Sequence, residues 1–105
     1  MKKNLLFFLM LLCAVQYAAA ADYYTASASA TLNGNTTASA NWTTNPNGVT
    51  GLTTFTITAT DNLFILNGGS ATITNTGTMI VAALTINAGG TIVHNNNASA
   101  STFTI

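Results

Sequence analysis

The sequence predicts an all-β chain: a short parallel β-solenoid (β-helix) of two to three coils behind a cleaved signal peptide. Three observations carry this expectation. An apolar–Gly-Gly–apolar phrase occurs twice in one register, as "LFILNGGSATITN" (63–75) and "LTINAGGTIVHNN" (84–96). After residue 22 the chain is rich in Thr, Val, Ile and Phe, whose branched or aromatic side chains fit a pleated surface, with Asn, Gly and Ser between them as turn formers. The first twenty or so residues carry the charge, apolar run and small-residue end of an export leader.

The leader opens on Lys2 and Lys3. Leu5 to Val15 then forms an apolar run of about 11 residues, within the 7–15 of a signal-peptide core and well short of the ~20 that span a bilayer. Ala18-x-Ala20 and Ala19-x-Ala21 both offer the small side chains that a leader peptidase accepts. Residues 1–21 therefore read as signal peptide, with cleavage after Ala20 or Ala21. Cys13 follows Leu12 inside the apolar run and reads as leader core, since an acylation site wants a small residue before a cysteine that ends the run. Secretion or cell-surface placement is expected, with no membrane span after cleavage.

Removing the leader removes the only cysteine and both lysines. Asp22, Asp61 and His94 are the titratable side chains besides the tyrosines that remain. Small exported folds usually rely on disulfides or other staples. Here a regular, fully paired backbone array, or a larger body beyond this stretch, has to supply that stability. With no Lys or Arg left to neutralise phosphates, nucleic acid and anionic membrane surfaces are excluded as partners.

Residues 22–48 read as an Ala/Ser/Thr/Asn-rich N-terminal segment with a turn and a cap. "TLNGNT" offers Asn-Gly, a hairpin signal, and the Ala-Ser alternation reads as a loose edge strand or linker. Trp42 is expected to pack over one end of the core, with carbohydrate stacking as the functional alternative. Pro46 sits in the turn "TTNPNG", as proline beside Asn and Gly favours.

Residues 49–105 read as the coils. "LTTFTITAT" alternates, with Phe55, Ile57 and Ala59 on one face and Thr54, Thr56, Thr58 and Thr60 on the other, as in a half-buried strand. Short strands follow at "LFIL", "ATIT", "MIVAALTI", "TIV" and "TFTI". Leu63 and Leu84, Ile65 and Ile86, Gly68 and Gly89, and Gly69 and Gly90 all stand at i and i+21. The offset then shortens to 19, aligning Leu84 with Phe103 and Ile86 with Ile105. A period near 20 with several strands per period is the signature of a solenoid, with Gly/Asn corners at positive φ. An antiparallel β-sandwich is the alternative, because strands every 8–12 residues with turn signals suit it too. "STFTI" ends within an alternating strand, so the coils are expected to continue beyond residue 105.

The stretch "ANWTTNPNG…FTITATDNLFILNGGSATITNTGTMIVAALTINAGGTIV" resembles the N-terminal region of large secreted and surface proteins of Bacteroidetes. The matching positions are Trp42, Asp61, Asn67-Gly68 and Leu84 to Ile92. The resemblance covers about residues 40–105 and implies a right-handed parallel β-helix in an adhesin-like protein of the type IX secretion kind. The second aromatic usual near the Trp is missing here, and so is a C-terminal sorting domain.

No constellation carries catalysis, so the chain is expected not to be an enzyme, with no catalytic, metal or cofactor-binding residues and no cofactor. Asp22 and Asp61 are far apart along the chain, and Asp61 reads as a turn cap accepting backbone N–H groups. His94 reads as an exposed turn residue. One His and no mature Cys cannot build a zinc site. The Asn-x-Ser/Thr sequons at Asn35, Asn41 and Asn97 arise readily in an Asn/Thr-rich chain. The Thr-x-Thr runs raise ice binding. However, Thr53, Thr72 and Thr91, spaced by 19, are followed two residues on by Phe55, Thr74 and Val93, so the expected ladder is one Thr wide. The expected function is a non-enzymatic, structural or adhesive segment of a bacterial surface or secreted protein, facing polysaccharide or other cell-surface material. The alternatives are a carbohydrate- or ice-binding module using Trp42, Tyr23 and Tyr24, and the N-terminal cap of a β-helical polysaccharide-active enzyme.

Overall fold

The computed structural model describes residues 3–4, 19–33, 38–74, 78–94 and 102–105. From residue 19 onward the described residues are all-β. The strands are β1 (Asp22–Thr25), β2 (Ala30–Leu32), β3 (Ser39–Trp42), β4 (Thr53–Phe55), β5 (Asn62–Ile65), β6 (Ser70–Ile73), β7 (Thr78–Ile80), β8 (Ala83–Ile86), β9 (Thr91–His94) and β10 (Thr102–Thr104).

Among the described residues three of the four sheets are parallel, with orders β1-β5-β8, β2-β6-β9 and β10-β7; the fourth is the antiparallel pair β3-β4. Strand pairing between the repeats is therefore parallel, which an antiparallel sandwich of hairpins does not provide. Leu63 lies beside Leu84 and Ile65 beside Ile86, as the repeat spacing predicts. The same offset holds from Ser70↔Thr91 to Ile73↔His94.

The expected offset of 19 is not found. Phe103 pairs with Met79, an offset of 24. The connector after β6 is residues 74–77 and that after β9 is 95–101, three residues longer, so the third sheet pairs at an offset of 24 while β5-β8 and β6-β9 keep 21. Three further differences have local causes. "LTTFTITAT" is strand only over Thr53–Phe55, because Thr58 is drawn into a turn whose Asp61 N–H donates to the Thr58 carbonyl (3.1 Å). Ala59 is accordingly exposed, not inward. "MIVAALTI" bends at Val81-Ala82 into β7 and β8, and Ala82 N–H donates to the Asp61 carbonyl (2.9 Å). His94 closes β9 in register with Ile73, where a turn was expected.

Residues 22–32, read from sequence as loose, form β1 and β2 in the same sheets as the later strands, with Tyr23↔Leu63 and Ala30↔Ala71. Side-chain columns run through the layers as Tyr23–Leu63–Leu84, Thr25–Ile65–Ile86, Ala30–Ala71–Ile92 and Leu32–Ile73–His94. Their middle members, Leu63, Ile65, Ala71 and Ile73, are buried, as are Ala30 and Leu32 of the first layer, with Trp42, Ile57, Met79 and Val81 completing the core. In the third layer Leu84 and Ile92 are partly covered, and Ile86 is 43% exposed.

The two glycines of each pair do different work. Gly68 and Gly89 have φ of 81° and 84°, the left-handed corner conformation expected. Gly69 and Gly90 are needed for closeness: a Cβ there would fall 2.6 Å from the Thr25 carbonyl oxygen and 2.7 Å from that of Ile65. Each second glycine thus lets the layer before it pass, and its own layer hydrogen-bonds across, as Leu66 N–H does to Thr25 O and Asn87 N–H to Ile65 O (both 2.8 Å).

Candidate functional site

The first layer is capped on the side away from β5. Tyr24 and Thr43 exchange two antiparallel backbone hydrogen bonds (2.8 and 3.0 Å). Within β3 the pairing slips between Ser39 and Trp42, and Asn41 sits at φ 64°. Such an irregularity breaks strict alternation, so Ser39 and Trp42, three residues apart, both turn inward and are fully buried. Trp42 donates its indole N–H to the Thr31 carbonyl (2.9 Å), and Thr25 donates its hydroxyl to the Asn41 carbonyl (2.9 Å). Trp42 is therefore a core residue and offers no face to a sugar, which removes it from the carbohydrate reading. The side-chain amide of Asn41 donates to the Ser29 carbonyl (2.9 Å). Asn35 and Asn97, and the turn expected around Gly34, lie outside the described residues.

Tyr23 and Tyr24, adjacent in sequence, point to opposite sides. Tyr23 packs on Phe55 with ring centroids 4.7 Å apart. Burial first, and the Asp61 charge second, push its hydroxyl above the usual tyrosine range. Tyr24 stacks on Phe64 in the neighbouring layer (4.7 Å, 15° between planes), on the outer side of the sheet. Each ring covers a face of the other, so the pair works chiefly as cross-layer packing. Beside it Asn62 donates its side-chain amide to Asp22 Oδ1 (2.8 Å).

The register brings Asp22 next to Asn62, one residue from Asp61, so the wide separation in sequence collapses. The two carboxylates are nonetheless differently committed. Asp22 is exposed on the outer face. Asp61 is 4% exposed. Its Oδ2 accepts the Thr58 N–H (2.8 Å) and hydroxyl (2.9 Å), and its Oδ1 accepts the Ala21 N–H (2.9 Å). It is the turn cap that the sequence suggests, with a long-range donor that local sequence gave no way to foresee.

The threonine ladder at a spacing of 19 does not form. Thr72 pairs with Thr31 and Val93, Thr91 pairs with Ser70, and Thr53 lies opposite Trp42 in the antiparallel sheet. The Thr31 hydroxyl accepts the Ala40 N–H (3.0 Å), and the Thr74 hydroxyl is hydrogen-bonded to Asn33 Oδ1. Hydroxyls committed to the fold make a poor ice template. A recess of about 170 Å³ is lined by Ile57, Thr58, Ala59, Met79 and Ile80; its lining carries no ionisable group. Among the described residues no cluster of three or more His, Cys, Asp or Glu side chains occurs, and no helix is long and apolar enough to cross a membrane.

Comparison with protein-family models, with curated proteins and with solved structures gives no match for this chain.

Proposed function

We propose that the chain is an exported β-solenoid module of a bacterial surface or secreted protein, with a structural or adhesive role and no catalytic chemistry of its own. The observation that supports this best is the stacking of parallel strands in shared register on successive layers. Leu63↔Leu84 in β5-β8 and Ala71↔Ile92 in β6-β9 have the same offset. Add β7-β10, and the second and third layers each contribute to three parallel sheets while the first contributes to two, which supports a reading of these layers as solenoid coils. The first layer is closed by Trp42 and the Tyr24–Thr43 bridge, whereas in the third the inward-column residue Ile86 is 43% exposed. That polarity suits a stack that starts here. The leader-like start supports export, and the lack of Lys and Arg after position 3 supports contact with uncharged material, with cell-surface polysaccharide as the proposed partner.

The test is direct. The tagged chain, expressed with its own leader, should be found outside the inner membrane and be lost on protease shaving of whole cells, and its deletion should lower attachment to polysaccharide-coated surfaces. Retention in the cytoplasm would overturn the export half of the proposal. Unchanged attachment would overturn the adhesive half. Nuclear Overhauser contacts across Leu63–Leu84 and Ile65–Ile86, running in parallel sense, test the coil.

A further inference from the structure

Asp61 is a buried carboxylate in a chain whose only Lys or Arg residues are Lys2 and Lys3. On the export proposal above, on which this inference rests, those two lysines leave with the leader. An ionised carboxylate taken out of water needs donors, and preferably a cation, in place of its hydration shell. Thr58 supplies two donors to Oδ2 from the local turn. The donor to Oδ1 is the Ala21 N–H, distant in sequence and 2.9 Å away in space. Ala21 is held on its other side as well, since its carbonyl accepts the Asn62 N–H (2.9 Å). Ala21 is also the residue that follows one of the two small-residue junctions, Ala18-Ala19-Ala20.

We infer that the leader is cut between Ala20 and Ala21, and that the α-ammonium group created there forms an ion pair with Asp61. In the cut, one water hydrolyses the Ala20–Ala21 C–N bond. Ala20 takes the hydroxyl and leaves as the leader's carboxylate, and the Ala21 nitrogen keeps its electron pair and binds protons to become the ammonium. The nitrogen that donates as a neutral amide becomes a cation at the same position, so the bond to Oδ1, already assisted by the carboxylate's charge, becomes an ammonium–carboxylate ion pair. A cut after Ala21 would instead remove both the donor to Oδ1 and the acceptor of the Asn62 N–H. Leader removal thereby completes the fold: the first residue of the processed chain supplies the one cation the buried carboxylate lacks.

The full chain is expressed in an exporting bacterial host, and the product is analysed by intact mass and N-terminal sequencing. A product starting at Ala21 is expected. An uncut chain would sink the export proposal and this inference together. A product starting at Asp22, or anywhere else, would leave export standing and overturn the inference. On the Ala21-start protein, acetylation of the α-amine by limiting acetic anhydride at neutral pH is compared with that of Asp61→Asn. The native amine should react at least about tenfold more slowly, the equivalent of one unit of pKa; equal rates would overturn the pairing. Because Asp61→Asn also weakens the Thr58 turn, a chain carrying Gly-Ser before Ala21 provides a second comparison with every native side chain kept. Its thermal midpoint should fall below that of the Ala21-start protein, and an unchanged midpoint would overturn the inference.

Discussion

Ile65 and Ile86 stand in one column, one layer apart, and truncating each to alanine separates the effect of layer from that of residue type. Ile65 is fully buried between Thr25 and Ile86, while Ile86 is 43% exposed. Ile→Ala removes three carbons. At about 0.8 kcal/mol per buried carbon the transfer loss at position 65 is about 2.4 kcal/mol. The hole left there is enclosed by neighbouring layers, and the cavity contribution raises the total to about 3–4 kcal/mol, inside the usual range for such truncations. At position 86 a little over half of the side chain is withdrawn from water, so the transfer loss scales to about 1.4 kcal/mol, with no enclosed hole to add. The difference of about 2 kcal/mol is a factor of about 30 in the folding equilibrium. Urea unfolding of the protein, followed by the emission of Trp42, reads both variants, because Trp42 is the sole tryptophan and is fully buried. Equal losses, or a larger loss at Ile86, would refute a column that is closed at its middle and open at its last described layer.

Gly68→Ala should cost roughly 1–2 kcal/mol in urea unfolding, since it forces a side chain into the left-handed region. Nothing else stands in the way of the added Cβ there. Gly69→Ala should be worse and should also disturb the Leu66–Thr25 hydrogen bond, because its Cβ meets backbone; an amide-exchange comparison of Leu66 in the two variants checks this. Trp42→Phe loses the indole donor and leaves the Thr31 carbonyl unpaired, so a loss of about 1–3 kcal/mol in urea unfolding, read by circular dichroism, is expected. Tyr23 holds its proton more tightly folded than unfolded, so the unfolded chain releases protons first as pH rises. The stability it contributes is therefore intact below the ordinary tyrosine pKa of about 10 and lost as pH climbs through the raised folded value. Urea midpoints measured at pH 8 and above pH 10 should fall less for Tyr23→Phe than for the native protein.

The parts of this fold legible in the sequence are those that repeat without interruption. Leu63/Leu84, Ile65/Ile86 and the Gly-Gly pairs share one spacing, so register and corners could be read directly. The first layer was hidden for a concrete reason. Asp22–Thr25 stacks on Asn62–Ile65 at an offset of 40, because the capping excursion through β3 and β4 is inserted between them, and its corner reads Ala26-Ser27 with no glycine pair. The Tyr24–Phe64 stack and the Ala21–Asp61 contact were hidden by the same insertion. The expected offset of 19 failed because low-complexity Thr and Ile recur by chance at many spacings, whereas hydrogen-bonded layers tolerate an added residue only in a corner.

The near absence of charge is best understood through the same stacking. A small chain with one cysteine and four Asp, Glu, Lys or Arg residues has to stabilise itself with short-range terms that repeat. Each layer adds inward aliphatic contacts, ladder hydrogen bonds on parallel strands and a corner in which one glycine bends and the next lets the neighbouring backbone close in. In such a stack charge carries a specific penalty, because identical columns place like side chains about 4.8 Å apart. Uncharged Thr, Ser and Asn avoid that repulsion and still hydrogen-bond outward, as the Asp22–Asn62 pair does with a single carboxylate per rung. Asp61, the one sequestered charge among the described residues, is placed where the layers meet the cap and the start of β1, outside any repeating column. There its oxygens tie Thr58 to Ala21, and its backbone reaches Ala82 of the next layer. A residue that joins three segments in this way cannot be replaced by a repeat position, which is why it alone is worth the cost of burying a carboxylate.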